Sequence, residues 1–202
     1  AFLVNNWVLL FSAVFVLFAT MFPTLSEAVT GMRLTVGPPF FTKWMLPIGL
    51  ILLTLPGFGP LLAWRRSTPS NLLHQFTWPV TLAVLTGVGL YLMGFRVWVS
   101  GLCFALCAFV VGTISQEFVR GAAVRSEATG SDLMTGLVGL VARSRRRYGG
   151  YVVHVGIVLM FLGFAGSGYK LDSQVRLTPG DEHTIGPYTV RYDRLSQNTD
   201  SQ

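Results

Sequence analysis

Charge is what this sequence most lacks. Asp, Glu, Lys and Arg together make up 12% of its 202 residues, against about 25% in soluble globular domains. With 51% hydrophobic residues and a mean hydropathy of +0.56, a soluble fold is excluded and an integral membrane protein is indicated. Cysteine is nearly absent. The two present, Cys103 and Cys107, are too few for a disulfide scaffold or a Cys-rich metal site. No nucleophile triad, phosphate-binding loop or zinc-ligand spacing occurs, and the scattered acids Glu27, Glu117 and Asp132 make no paired-carboxylate site. The net charge is +6, yet the basic residues gather at the ends of apolar runs. A continuous basic stripe with base-reading side chains, which nucleic-acid binding requires, is missing. A cleavable signal peptide is missing too. Ala1 leads straight into a long apolar segment without a basic n-region, a start expected of a processed chain or of a piece of a longer one.

What is present is a succession of apolar runs. They predict an all-α polytopic membrane protein of about five transmembrane helices plus one interfacial helix, with the start of a small extracytoplasmic β domain. The spans are expected at about 2–22, 44–64, 78–95, 97–115 and 148–169, within a helical domain over 1–169. Pro23 is expected to stop the first span, since it donates no backbone hydrogen bond. Gly37-Pro38-Pro39 predicts extended chain or a turn, followed by an interfacial belt of Phe40, Phe41 and Trp44. Pro47, Pro56, Gly57, Gly59 and Pro60 are expected to interrupt the second span, which neighbouring helices must then satisfy. A short polar loop with Pro69, Asn71 and His74 follows. Gly87, Gly89 and Gly94 permit close packing of the third span. The segment 116–147 is expected not to cross the membrane. Within it, Ser131-Asp132 reads as a helix N-cap, and Leu133, Leu137, Leu140 and Val141 recur at helical spacing over about 132–144, as in a helix lying in the membrane plane. From 170 to 202 the composition becomes that of a soluble β region. Val175 and Leu177, a Pro179-Gly180-Asp181 turn, Ile185, Gly186-Pro187, and then Tyr188, Val190 and Tyr192 follow one another.

Basic residues in short loops set orientation. Arg65 and Arg66, and the group Arg120, Arg125, Arg143, Arg145, Arg146 and Arg147, place the second and fourth loops in the cytoplasm. The N-terminus is then cytoplasmic and the β tail lies outside.

The stretch that carries chemistry is Arg143–Tyr169, an arginine cluster followed by an uncharged run long enough to cross a bilayer core of roughly 20 residues. Tyr148, Tyr151 and Tyr169 flank it as interfacial rings. One ionisable group, His154, lies inside. At about 1.5 Å per residue it sits roughly 9 Å beyond Tyr148. A bare imidazole there is costly and marks a functional position. Three readings stay open on residue chemistry: an axial haem ligand, a proton relay, or a packing hydrogen bond. Gly150, one turn below, leaves room for a flat macrocycle. Ile157, Val158 and Phe161 would form an apolar wall, and Arg145, Arg146 and Arg147 could meet propionates. A bis-His haem needs a second intramembrane histidine, and neither His74 nor His183 provides one. Cys103 and Cys107 stand at i, i+4 and read as ordinary buried thiols.

The block Arg145-Arg-Arg-Tyr-Gly-Gly-Tyr-Val-Val-His154-Val-Gly, continuing through Phe161-Leu-Gly-Phe-Ala-Gly-Ser167, resembles the C-terminal half of the cytochrome c haem lyase subunit family, CcmF with its nitrite-reductase paralogues. Asn5-Asn6-Trp7, Val36-Gly-Pro-Pro-Phe-Phe41, Gly59-Pro-Leu-Leu-Ala-Trp-Arg-Arg66 and Gly186-Pro-Tyr188 match as well. The resemblance implies a bacterial inner-membrane protein that helps attach haem to apocytochrome c. It implies a transmembrane haem b that keeps iron reduced, with His154 as its axial ligand and metal residue and Gly150 and Phe161 in the pocket. It also implies, as partners, the N-terminal part that carries the tryptophan-rich WWD region, a haem chaperone, apocytochrome c, a CcmH-type thiol-reducing protein and a quinol. The WWD segment, its two flanking histidines, the first transmembrane haem ligand and the family's final helix have no counterpart in this sequence. By itself the chain is therefore not expected to catalyse ligation. The competing reading is a non-haem transporter or channel scaffold in which His154 relays protons.

Overall fold

The computed structural model describes residues 2–62 and 69–195. It holds six helices and one two-stranded sheet: α1 Phe2–Thr30, α2 Pro38–Leu62, α3 Pro69–Leu92, α4 Trp98–Thr129, α5 Leu133–Arg143, α6 Arg145–Ser167, β1 Glu182–Ile185 and β2 Tyr188–Arg191. Five of the helices, all but α5, are long and apolar enough to cross a membrane. The chain is thus an all-α polytopic membrane protein with a small β element at its end. Arg65 and Arg66, on which part of the orientation argument rests, lie outside the described residues.

Helix ends differ from the sequence reading for identifiable reasons. Pro23 does not stop α1, which carries it internally. A proline costs a helix one ladder bond, here the one to the Ala19 carbonyl, and helices within lipid tolerate that loss. The helix ends instead at Gly31, whose φ of +71° is the left-handed geometry that glycine adopts without strain. Pro38 and Pro39 open α2 rather than extending the chain before it, because a first-turn residue has no intrahelical acceptor for its N–H. Pro47 and Pro56 are carried within α2 and do not interrupt it. His74 belongs to α3, not to a loop. The stretch after Ser115 stays helical to Thr129 and turns at Gly130 (φ +63°). Over 116–129 no proline intervenes to end it.

α5 begins as its N-cap predicts: the Asp132 carboxylate accepts from the Thr135 N–H at 3.2 Å and from its hydroxyl at 2.6 Å. In the tail, Val175 and Leu177 lie outside any strand. The hairpin pairs Ile185 with Tyr188 across Gly186-Pro187, with Gly186 at φ +58°, a value suited to the first position of a tight hairpin turn.

α4 is the central post. It packs against α2, α3, α5 and α6, whereas α1 touches α2 alone among the described elements. Small residues set each approach. A Cβ on Gly57 of α2 would lie 2.5 Å from the Phe109 ring, and one on Gly112 would lie 3.3 Å from the Pro79 Cα of α3. The buried cluster of Leu53, Cys103, Cys107, Phe109, Val110, Ile114, Val158 and Ala165 fills the space among α2, α4 and α6.

Candidate functional site

α6 meets α4 along the row Tyr148, Tyr151, Val155, Val158, Leu162 and Ala165, each buried or packed on the core. These positions recur every three or four residues, the spacing of one helical face. The two helices run antiparallel. The Cys103 and Cys107 thiols of α4 lie 3.7 and 3.9 Å from the Phe161 and Val158 carbonyls of α6. Both cysteines are buried and unpaired by any disulfide, so they act as small packing groups.

His154 flanks this contact face and is half-buried. Its Nδ1 is fully enclosed and has no hydrogen-bond partner. An orphaned buried nitrogen of this kind costs about 1–3 kcal/mol. One turn below, a Cβ on Gly150 would meet nothing within 4 Å, so the surface beside the imidazole is open there. Phe161, two turns above, faces α2, where a Cβ on Gly49 would touch its ring at 3.6 Å. It lines an apolar cavity of about 570 Å³ with Met45, Leu46, Ser100 and Cys103. Neither His154 nor Gly150 lines that cavity, so the three residues named together by the sequence occupy one side of α6 but not one chamber.

The arginines divide. Arg145 and Arg146 are exposed. Arg147 is engaged: its guanidinium donates to Glu117 Oε2 at 2.7 Å and to the Tyr151 hydroxyl at 3.2 Å. Glu117 of α4, only 4% exposed, also accepts from Arg120. This carboxylate, shared by arginines of two helices, was missed by sequence reading, which placed it in a loop. The available signal was the Glu117–Arg120 spacing of three residues, which only a helix makes productive. Around it, Phe118 packs on Tyr148 and Tyr151, with ring centroids 5.0 and 6.0 Å away. Tyr148 is therefore buried between helices.

Among the described residues no three His, Cys, Asp or Glu side chains converge. A chelating metal centre of soluble type is not built here. A macrocycle whose metal takes one axial histidine asks for less: with Nδ1 enclosed by the chain, Nε2 would be the ligating nitrogen, beside the open surface at Gly150.

No family model matches the chain, and no solved structure does. Curated relatives do. The chain is 30% identical to the cytochrome c-type biogenesis protein CcmF of Pseudomonas aeruginosa over 95% of its own length and 28% of the relative's. It is 26% identical to the cytochrome c-type biogenesis protein CycK of Rhizobium meliloti, over 98% of this chain and 29% of that one. It is 27% identical to CcmF of Escherichia coli K12, again over 98% and 29%. The chain thus spans less than a third of the length of these relatives. Over that stretch, the chain is similar to the CcmF and CycK cytochrome c-type biogenesis proteins.

Proposed function

We propose that this chain acts in cytochrome c maturation as the C-terminal membrane part of a haem lyase subunit, with His154 as an axial ligand of a transmembrane haem b. The observation that carries the reading is the half-buried His154 imidazole, set in an apolar helix of membrane-crossing length where an unexplained ionisable group marks function; its Nδ1 is enclosed, so Nε2 would take the iron. Gly150 leaves the adjacent surface open to a flat group. Phe161, on the same side of α6 but turned toward α2, would bound the pocket only at its far end, and the exposed Arg145 and Arg146, with Arg147 beside them, would supply positive charge for propionates. Bound haem provides one-electron redox chemistry, which would keep substrate iron reduced during attachment. The chain's own contribution is to ligate, to exclude water through the α4–α6 contact and to anchor the foot of α6 through Arg147 and Glu117.

The arginine-rich loop orients the chain with that end in the cytoplasm. Five spans then put the N-terminus inside and the β tail in the periplasm of the inner membrane, the helical domain covering 1–169 and the tail 170–202. The second axial ligand, the WWD region, the haem chaperone, apocytochrome c, a CcmH-type reductant and a quinol are supplied from outside this chain. A proton relay at His154 has less support, because it needs a polar partner against the ring and Nδ1 has none among the described residues.

The test is the visible spectrum of the full detergent-purified assembly. A reduced low-spin b-type α band is expected. His154→Ala removes it, and Gly150→Leu lowers haem content while leaving the unfolding transition in place. A wild-type assembly without the band, or a His154→Ala variant that retains it, refutes the reading.

A further inference from the structure

α4 is 32 residues long, about 48 Å at 1.5 Å per residue. A bilayer core is about 30 Å thick, so roughly its last 12 residues stand at the headgroup level or beyond. α5 is tied to that level at both ends, by α4 before it and α6 after it. Its small residues face α4. A Cβ on Gly136 would lie 2.8 Å from the Ala122 carbonyl oxygen, and Gly139 lies under the Arg125 side chain, whose Nε would be 2.5 Å from a Cβ there. Its other flank is bare: Met134 and Val138 are each 69% exposed.

Arg125 differs from its neighbours. Arg120 and Arg147 are both held by Glu117, whereas Arg125 is half-buried and forms no ion pair among the described residues. It heads a cleft of about 590 Å³ walled by Thr129, Ser131 and Thr135 and rimmed by Met134 and Val138. The carboxylates nearby are Asp132, occupied by Thr135, and the exposed Glu127. Arg125, Arg143, Arg145 and Arg146 outnumber them. The cleft hydroxyls are engaged among themselves and their neighbours, Thr129 with the Arg125 carbonyl and Ser131, Thr135 with Asp132, so a guanidinium without a counter-ion among the described residues and apolar side chains at the rim are what match a phosphate that carries acyl chains. Guanidinium–phosphate pairing is directional and strong, and exposed apolar side chains at this depth insert into the acyl boundary.

We propose that the α4–α5 cleft binds the phosphate of an anionic phospholipid, held by Arg125, with its acyl chains laid over Met134 and Val138. The site is separate from His154 and does not depend on haem. It would fasten the basic turn between α4 and α6 to the membrane surface, and the excess of arginines favours an anionic headgroup over a zwitterionic one.

The test is native mass spectrometry of the full-length protein in non-ionic detergent, titrated with phosphatidylglycerol or with phosphatidylcholine of the same chains. Tighter binding of phosphatidylglycerol is expected. Arg125→Gln weakens it about fivefold, the loss of one interfacial charge, and Arg125→Lys retains most of it. Met134→Ser/Val138→Ser weakens both lipids and serves if Arg125→Gln loosens the hairpin. Equal binding of the two lipids, or phosphatidylglycerol binding unchanged in both Arg125→Gln and the double variant, overturns the proposal. So does displacement by inorganic phosphate alone, which would mark an aqueous anion site.

Discussion

The Glu117 triad gives a prediction in which the double variant separates two accounts. Its carboxylate side chain is 5% exposed, while the side chains of Arg147 and Arg120 are 44% and 39% exposed. The two sides of the network are therefore unequal in what they lose when broken. Arg147→Ala removes one charge-assisted hydrogen bond, worth about 1.5–3 kcal/mol in general. Water already reaches much of this guanidinium, so a loss nearer about 1 kcal/mol is expected. Arg120→Ala removes a similar bond from a similarly exposed partner, again about 1 kcal/mol. In each single variant Glu117 keeps one arginine. In Arg120→Ala/Arg147→Ala it keeps none, and a carboxylate left buried without a partner costs about 3–5 kcal/mol. The double variant should therefore lose about 1–3 kcal/mol more than the sum of the singles, well above the few tenths expected of independent sites. Glu117→Gln should cost less than the double variant, because it leaves two arginines that solvent can hydrate. Unfolding of the full-length protein in mixed micelles titrated with a denaturing detergent measures all four. If the double variant equals the sum of the singles, or if Glu117→Gln is the worst of the set, the triad is a solvated surface pair and the account of the α6 foot is wrong.

Gly57→Ala should destabilise by about 1–3 kcal/mol, because its Cβ would stand 2.5 Å from the Phe109 ring. Gly149→Ala, with open space around the new methyl, should not, and the same unfolding titration compares them. Asp132→Ala should destabilise α5 through loss of its N-cap, read as weakened hydrogen-exchange protection across 133–143. The Thr135 hydroxyl and N–H hold the Asp132 carboxyl below the usual carboxylate range. Its contribution is thus complete above the unfolded value of about 3.9 and fades as pH falls through the lower folded value. Protection of α5 in wild type should fall toward that of Asp132→Ala only in that acid range, and a loss already present near neutral pH would refute the capping argument.

Much of the architecture was legible in the linear chain because lipid makes the rule simple. A backbone with no water to bond must close its hydrogen bonds within the segment, so long uncharged runs become helices. That reasoning found the five apolar helices, and the Asp132 cap predicted where α5 begins. It misjudged Pro23 and Pro38, since whether a proline ends, opens or rides within a helix depends on the turn it occupies and on how readily the surroundings tolerate one missing ladder bond. It also cut α4 short, because charged residues such as Glu117 and Arg120 were read as loop when a partner helix was there to receive them.

The sequence alone determined the class of protein, the apolar spans, the basic turn and the single ionisable residue within α6, all of which follow from local composition and helical spacing. Only the tertiary structure decided which groups meet. It buried Glu117 between arginines of two helices, left His154 Nδ1 enclosed without a partner, turned Phe161 toward α2, and set Arg125 unpaired in a cleft beside α5. Those outcomes depend on how close two helix backbones can come, which glycines such as Gly57, Gly112 and Gly136 control, and no one-dimensional pattern records which surface each of them will face.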